Sequence, residues 1–81
     1  MGRPSVLVVD DEENIRFLVG SALSAQDLDV TAVGSGADAL SRLRGGAFDV
    51  VVLDVGLPDM DGFEVLRRLR LDGWTGSVLF L

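Results

Sequence analysis

At 81 residues the chain falls below the roughly 100–200 of an ordinary domain, so it holds one domain at most. Hydrophobic residues make up 48%, in runs that argue against disorder, and 13 acids against 7 bases leave a net charge of −6, which argues against a nucleic-acid-binding face as the main business of this segment. All seven bases are Arg, and His, Cys, Lys and Tyr are absent; a disulfide scaffold, a Cys/His zinc site, a Ser-His-Asp or Cys-His machine and a Schiff-base Lys are thereby excluded.

In chain order, the first element is the apolar run Val6-Leu7-Val8-Val9. A run apolar at every position is the pattern of a strand covered on both faces, as in a parallel sheet. Asp10 and Asp11 follow it at once, and the acids at 12 and 13 suit the positive end of a helix. That helix carries an apolar stripe of Ile15, Leu18, Val19, Ala22 and Leu23, at the spacing of one helical face. Residues Leu28 to Val33 alternate, with Leu28, Val30 and Ala32 set against Asp29, Thr31 and Val33, and read as an edge strand with one wetter face. Ser35 with Asp38 three residues on resembles a capping box; the short helix of Ala39, Leu40 and Leu43 that follows stops at Gly45-Gly46.

The third strand is Val50-Val51-Val52-Leu53, and Asp54 follows it directly. Beyond lies a loop in which Pro58 suits the second position of a turn and Gly56 lets backbone approach a ligand. Asp61 is the expected N-cap of a third helix marked by Phe63, Leu66 and Leu69, with Glu64 at the reciprocal capping position. Arg67 and Arg70 share one face of that helix, Arg68 points away, and the cluster reads as a solvated face. Phe48, Phe63 and Phe80 are expected in the core, and Trp74 as a packing residue at the end of the sheet away from the acids. A fourth strand, Val78-Leu79-Phe80-Leu81, closes the order strand–helix–strand–helix–strand–helix–strand. Such alternation implies an α/β fold, a doubly wound parallel sheet with helices on both faces. An apolar strand with no helix after it leaves an edge and an apolar face, and self-association through the fourth strand is the expected consequence.

Doubly wound sheets take their ligands beyond the carboxyl ends of the strands, at the point where strand order reverses. In the flavodoxin-like order the first and third strands are neighbours there, so Asp10, Asp11 and Asp54 converge. Two carboxylates ~5 Å apart at an effective dielectric of ~20 repel by roughly 3 kcal/mol. They must share a proton, meet a cation or stay wet, and no base adjoins them in sequence. A hard divalent cation with oxygen ligands answers this most simply, and Mg²⁺ suits a site with few carboxylates and open water positions. A carboxylate beside it can act as the nucleophile of a phosphoryl transfer.

The two segments Val-Leu-Val-Val-Asp-Asp-Glu at 6–12 and Val-Val-Val-Leu-Asp-Val-Gly-Leu-Pro-Asp-Met-Asp-Gly-Phe-Glu-Val-Leu at 50–66 resemble the receiver domain of a bacterial two-component response regulator. The paired acids, followed some forty residues later by Asp-x-x-x-Pro-x-x-Asp-Gly, carry the resemblance, which covers the whole chain. It implies that residues 1–81 are a partial receiver domain of flavodoxin-like fold: four strands and three helices, without the final strand and two helices of the family. It further implies that Asp54 is the phosphoacceptor and that Asp11, Asp54 and the Gly56 backbone carbonyl bind Mg²⁺, with Asp10 holding the metal mostly through water. The donor would be a phosphohistidine on a sensor histidine kinase or a small phosphodonor. The protein would be a switch rather than a turnover enzyme, acting on an output domain outside this chain, a DNA-binding transcription domain by the flavour of the resemblance.

Receivers also carry a Ser or Thr after the fourth strand, then an aromatic switch residue, and a Lys after the fifth. The chain has no Lys, and Thr31 and Thr75 lie outside the expected position. Glu13 stands where many relatives have Pro and Gly56 where many have Met. Weak Mg²⁺ binding and slow or absent phosphorylation of this chain by itself are therefore expected. A degenerate receiver that acts only as an interaction or dimerisation module is the alternative.

Two other motifs compete. Gly34-Ser35-Gly36-Ala37-Asp38-Ala39 matches a dinucleotide fingerprint, but it follows an edge strand and leaves the paired acids unexplained. A haloacid-dehalogenase-like phosphatase would need a second Asp two residues after Asp54, where Gly56 stands. The short apolar run near Arg3 is too brief for a signal peptide, and no stretch approaches the ~20 apolar residues of a membrane helix. The expected setting is cytoplasmic, with no membrane contact and no direct nucleic-acid contact from this segment.

Overall fold

The computed structural model describes residues 2–46 and 48–81; Met1 and Ala47, inside the expected 1–81 domain, lie outside that description. The elements are β1 (Ser5–Val9), α1 (Glu13–Ser24), β2 (Asp29–Val33), α2 (Gly36–Gly45), β3 (Val50–Leu53), α3 (Gly62–Leu71) and β4 (Ser77–Phe80). The strands form one sheet in the order β2-β1-β3-β4. Every pairing is parallel, with Val6 opposite Val30 on one side and Val50 on the other, and Val50 opposite Ser77. Two of the three uninterrupted apolar runs, 6–9 and 50–53, thus occupy the centre of the sheet, where both faces need cover. The third, 78–81, reads as a strand covered on both faces but forms the edge strand β4, where Leu79 and Phe80 stay exposed because no strand pairs with its outer side among the described residues.

Side chains alternate between two layers. Leu7, Val9, Val51 and Leu53 point to the face carrying α2 and α3, and pack with Leu40, Leu43, Val65 and Leu69. Val6, Val8 and Val52 point to the other face, against Val19 and Leu23 of α1. Helices on opposite faces make the sheet doubly wound, as expected.

Several local expectations need correction. The stripe on α1 is only half covered: no residue of that helix is fully buried, and Leu18 is 62% exposed. On β2, which is an edge strand, Val33 is the buried residue, because it reaches the α2 layer, while Ala32 is exposed. Phe63 and Phe80 lie at the rim rather than in the core, 59% and 40% exposed, and meet in a tilted contact with centroids 4.9 Å apart and ring planes at 44°. Phe48 is half-buried against the α2–α3 cluster. Glu64 does not reach back to the cap. Its carboxylate takes Arg67 at 2.6 Å and Arg68 at 2.7 Å, so Arg68 turns toward the cluster, because a charged donor outcompetes a neutral backbone N–H.

Two helix starts match the sequence reading. The Ser35 hydroxyl accepts the Asp38 N–H at 3.1 Å, and the Asp61 carboxylate accepts the Glu64 N–H at 2.8 Å. Trp74 packs half-buried before β4, its indole N–H donating to the Phe48 carbonyl at 3.0 Å and its ring under the Arg70 guanidinium. Among the described residues no helix is long and apolar enough to cross a membrane.

Candidate metal and phosphoacceptor site

Continuation of the ladder past the strand ends sets the acids in place. The Asp10 N–H donates to the Val33 carbonyl at 3.2 Å, and the Asp54 N–H to the Val9 carbonyl at 2.9 Å. These bonds extend the pairing of β1 with β2 and of β3 with β1 by one residue, so two carboxylates emerge side by side where the sheet ends. Asp11 joins them, and one carboxylate oxygen from each of Asp10, Asp11 and Asp54 lies within 4.8 Å of the others. The three acids expected to converge do so.

Their environments differ. Asp10 is 5% exposed, the one buried charged residue among the described residues. Its Oδ1 accepts the Glu12 N–H at 2.9 Å across a short turn before α1. Asp54 is half-buried, and its Oδ1 accepts the Gly56 N–H at 3.0 Å. Asp11 is exposed. The cluster therefore has a walled side and an open side. Its donors are all carboxylate oxygens, and no His or Cys exists in the chain to favour a softer metal. Few carboxylates with room for water is the donor set that suits Mg²⁺, so the residues fit the metal the sequence implies.

Sequence reading missed two neighbours. Arg16 folds back from the first turn of α1, and its Nη1 donates to the Asp10 backbone carbonyl at 2.7 Å. A Cβ on Gly34 would sit 3.0 Å from that same nitrogen, so Gly34 leaves the guanidinium its place. The signal was an Arg one turn past an acidic pair, visible only once the helix direction is known. The second is Asp59, whose Oδ1 and Oδ2 accept the Gly36 and Ala37 N–H groups, each at 2.9 Å. The Gly36 N–H, and then that of Ala37, hold the Asp59 carboxyl below the ordinary carboxylate range. This also disposes of the dinucleotide motif: the α2 N-terminus, where a phosphate would dock, already holds a carboxylate of the chain itself.

The loop after Asp54 is folded tightly onto α3. The Gly62 N–H donates to the Val55 carbonyl at 2.8 Å, and a Cβ on Gly62 would lie 2.7 Å from the Asp54 carbonyl oxygen. Only glycine allows that approach, which accounts for the Gly of the Asp-Gly pair. A groove of about 430 Å³, lined by Leu43, Arg44, Leu69, Asp72, Gly73 and Trp74, lies at the opposite end of the sheet from the acids. None of the three acids lines it, so the cluster stands at the sheet end outside that groove.

Fold and site together define a signalling receiver. Residues 6–81 match the family model of the response regulator receiver domain, and the chain belongs to that family. Over 81 residues it is 44% identical to the probable transcriptional regulatory protein TcrX of Mycobacterium tuberculosis, an alignment covering 99% of this chain and 35% of that protein. The chain thus spans about a third of the length of this curated relative. Its backbone matches the chemotaxis response regulator CheY4 of Vibrio cholerae with a TM-score of 0.93 at 31% identity, over 96% of this chain and 67% of that one. It also matches the response regulator TrrA of Thermotoga maritima, solved in complex with Mg²⁺ and beryllium fluoride, with a TM-score of 0.88 at 32% identity, over 93% of this chain and 65% of that one.

Proposed function

We propose that residues 1–81 form part of the receiver domain of a longer response regulator, and that Asp54 accepts a phosphoryl group there from a sensor histidine kinase. The observation that carries this reading is the meeting of Asp10, Asp11 and Asp54 within 4.8 Å in a chain of the receiver family. Support for the partner comes from TrrA, which is also solved in complex with the histidine kinase ThkA. The name of TcrX supports a transcriptional output, and a DNA-binding domain elsewhere in the protein is the output we infer. We place the protein in the cytoplasm, as a phosphoacceptor rather than a turnover enzyme, with no nucleic-acid contact from this segment.

Asp10, Asp11, Asp54 and the Gly56 carbonyl would hold Mg²⁺, which when bound supplies positive charge to offset that of the carboxylates and of an incoming phosphoryl group. Asp54 is the nucleophile because it is the half-buried acid fixed at a central strand end and oriented by the Gly56 N–H at 3.0 Å. One of its carboxylate oxygens attacks phosphorus in line. The new P–O bond forms as the P–N bond to the donor imidazole breaks, and the departing nitrogen takes a proton from water. Asp10, tied by the Glu12 N–H and walled in by Arg16 on its carbonyl, keeps the buried side of the site rigid. Asp11 faces the open side, from which the donor enters.

The test is native mass spectrometry of the chain with Mg²⁺ and phosphoramidate, beside Asp54→Asn. The expected result is Mg²⁺ uptake by the wild type, weakened in the variant, and slow addition of one phosphoryl group to the wild type alone. A phosphoryl group on Asp54→Asn would move the nucleophile elsewhere; failure of the wild type to take up Mg²⁺ would remove the metal cradle.

One observation favours the alternative reading, an association module. β4 is an edge of the sheet, and Leu79 and Phe80 on it, with Leu81 just after it, are exposed. We infer that this chain pairs with a second copy through that strand.

A further inference from the structure

Helix α2 opens with backbone N–H groups that no helical carbonyl reaches. Ser35 satisfies one of them, that of Asp38, from the capping position just before the helix. The other two, on Gly36 and Ala37, are taken by Asp59, which lies 23 and 22 residues away on the loop between β3 and α3. A local side chain would suffice as a cap. A distant one also ties the helix to the segment it comes from.

That segment is the one carrying Gly56. Its near end is pinned by the Gly62 N–H on the Val55 carbonyl at 2.8 Å. Its far end is pinned by Asp59, and beside it Met60 lies over Gly36 so closely that a Cβ there would stand 2.5 Å from the Met60 Cγ. Gly56 lies between the two pinned residues, Val55 and Asp59, and its N–H donates to the Asp54 Oδ1 at 3.0 Å. The Asp59 carboxylate also sits at the positive end of the α2 dipole, where negative charge is favoured.

We propose that Asp59 is a positioning residue for the acid cluster: by clasping the N-terminus of α2 to the phosphoacceptor loop, it holds the turn that orients Asp54. Helix α2 thereby becomes part of the site's support although none of its side chains belongs to the cluster. The proposal concerns the turn itself; only its second readout rests on the metal-binding reading above.

Ser35 provides the control, since Ser35→Ala weakens the same helix end without touching the loop. By NMR hydrogen exchange at fixed pH, Asp59→Ala should speed exchange of the Gly56 amide about five- to tenfold, the factor that loss of a strong helix cap corresponds to. Ser35→Ala should leave that amide at its wild-type rate. Asp59→Asn, which keeps one acceptor oxygen, should fall between, and stands in for Asp59→Ala if the latter fails to fold. Mg²⁺ affinity should drop about tenfold in Asp59→Ala, as for residues that orient ligands without binding, and stay unchanged in Ser35→Ala. Equal Gly56 exchange in the Asp59 and Ser35 variants, both fast or both unchanged, would overturn the proposal. Should the wild type bind no Mg²⁺, the proposed function falls while the Gly56 amide still decides this inference.

Discussion

The two faces of the sheet are built from the same kind of strand and finished differently. Among the described residues, eleven form a continuous buried cluster from Leu7 to Leu69 under α2 and α3. Under α1, only Val6, Val8 and Val52 of the described residues form the buried cluster, and Val19, Leu23, Leu28, Val30 and Val50 cover them in part. Phe17, at 71% exposed, and Leu18 face solvent, as does Leu79, which the register sets beside Val52 on this same face. A helical stripe shows which side chains share a face; whether that face is covered depends on what else packs on the sheet. One helix cannot span four strands, and two can.

The sharpest way to test this asymmetry is to truncate a leucine on each face. Leu69→Ala, at a site 1% exposed, should cost about 2–5 kcal/mol, enough to unfold much of so short a chain. Leu18→Ala should stay within about 0.5 kcal/mol. Urea titration followed by the fluorescence of Trp74, which packs against the larger cluster, reads both. Equal losses would mean that α1 is as deeply seated as α3.

The next effect concerns what the thinner face does in solution. If β4 pairs with a second copy, burying Leu79 contributes about 1.5–3 kcal/mol per side chain, so Leu79→Lys should weaken self-association by more than about tenfold. Sedimentation velocity across a concentration series measures it. A wild-type chain that stays monomeric throughout would rule out the pairing.

Helix starts carry the contrast at smaller scale. Ser35 and Asp61 cap α2 and α3 with side-chain oxygens, whereas Glu12, at the start of α1, makes no capping hydrogen bond. Thermal melts should show Ser35→Ala and Asp61→Ala each losing about 1 kcal/mol, and Glu12→Ala almost none.

The parts of this structure legible in the sequence are those that local chemistry determines. Continuous apolar runs ending in acids gave away two central strands and the meeting of Asp10, Asp11 and Asp54, because the strand order of a doubly wound sheet leaves few alternatives. Ser35 and Asp61 were readable as caps for the same reason: a cap acts within one turn. Long-range ties were not readable. Nothing in local spacing couples Asp59 to Gly36, or Arg16 to the Asp10 carbonyl. Phe63 and Phe80 misled because aromatic character signals burial on average, and these two meet at a rim where the start of α3 faces the end of β4. Glu64 misled because its spacing from Asp61 allows a capping box, yet two guanidiniums within one turn bind it more strongly.

That last arrangement carries the smallest effect, and one confined to acid. Hydrogen bonds from Arg67 and then Arg68 hold the Glu64 carboxyl down to about 2, against an ordinary 4.5. A carboxyl lowered in the folded state stabilises the fold fully above its unfolded value, and loses that contribution as pH falls toward the folded one. The Glu64 contribution should therefore be intact at pH 6, decline below about 4.5 and be gone near 2. The pair lies open to solvent, which screens it, so the change in melting temperature should be small and should shrink further with added salt. The Asp59 carboxyl is also lowered, by the Gly36 and Ala37 N–H groups, and its contribution too is lost in acid, so the two are separated by substitution. Melting curves from pH 6 to pH 2 at low salt should be flatter for Glu64→Gln than for the wild type. The Glu64→Gln difference should vanish at high salt, while that of Asp59→Asn should persist, because Asp59 bonds backbone N–H groups rather than a mobile cation. If both differences survive high salt, the Glu64 cluster is a fixed part of the α3 surface and not a screened ion pair.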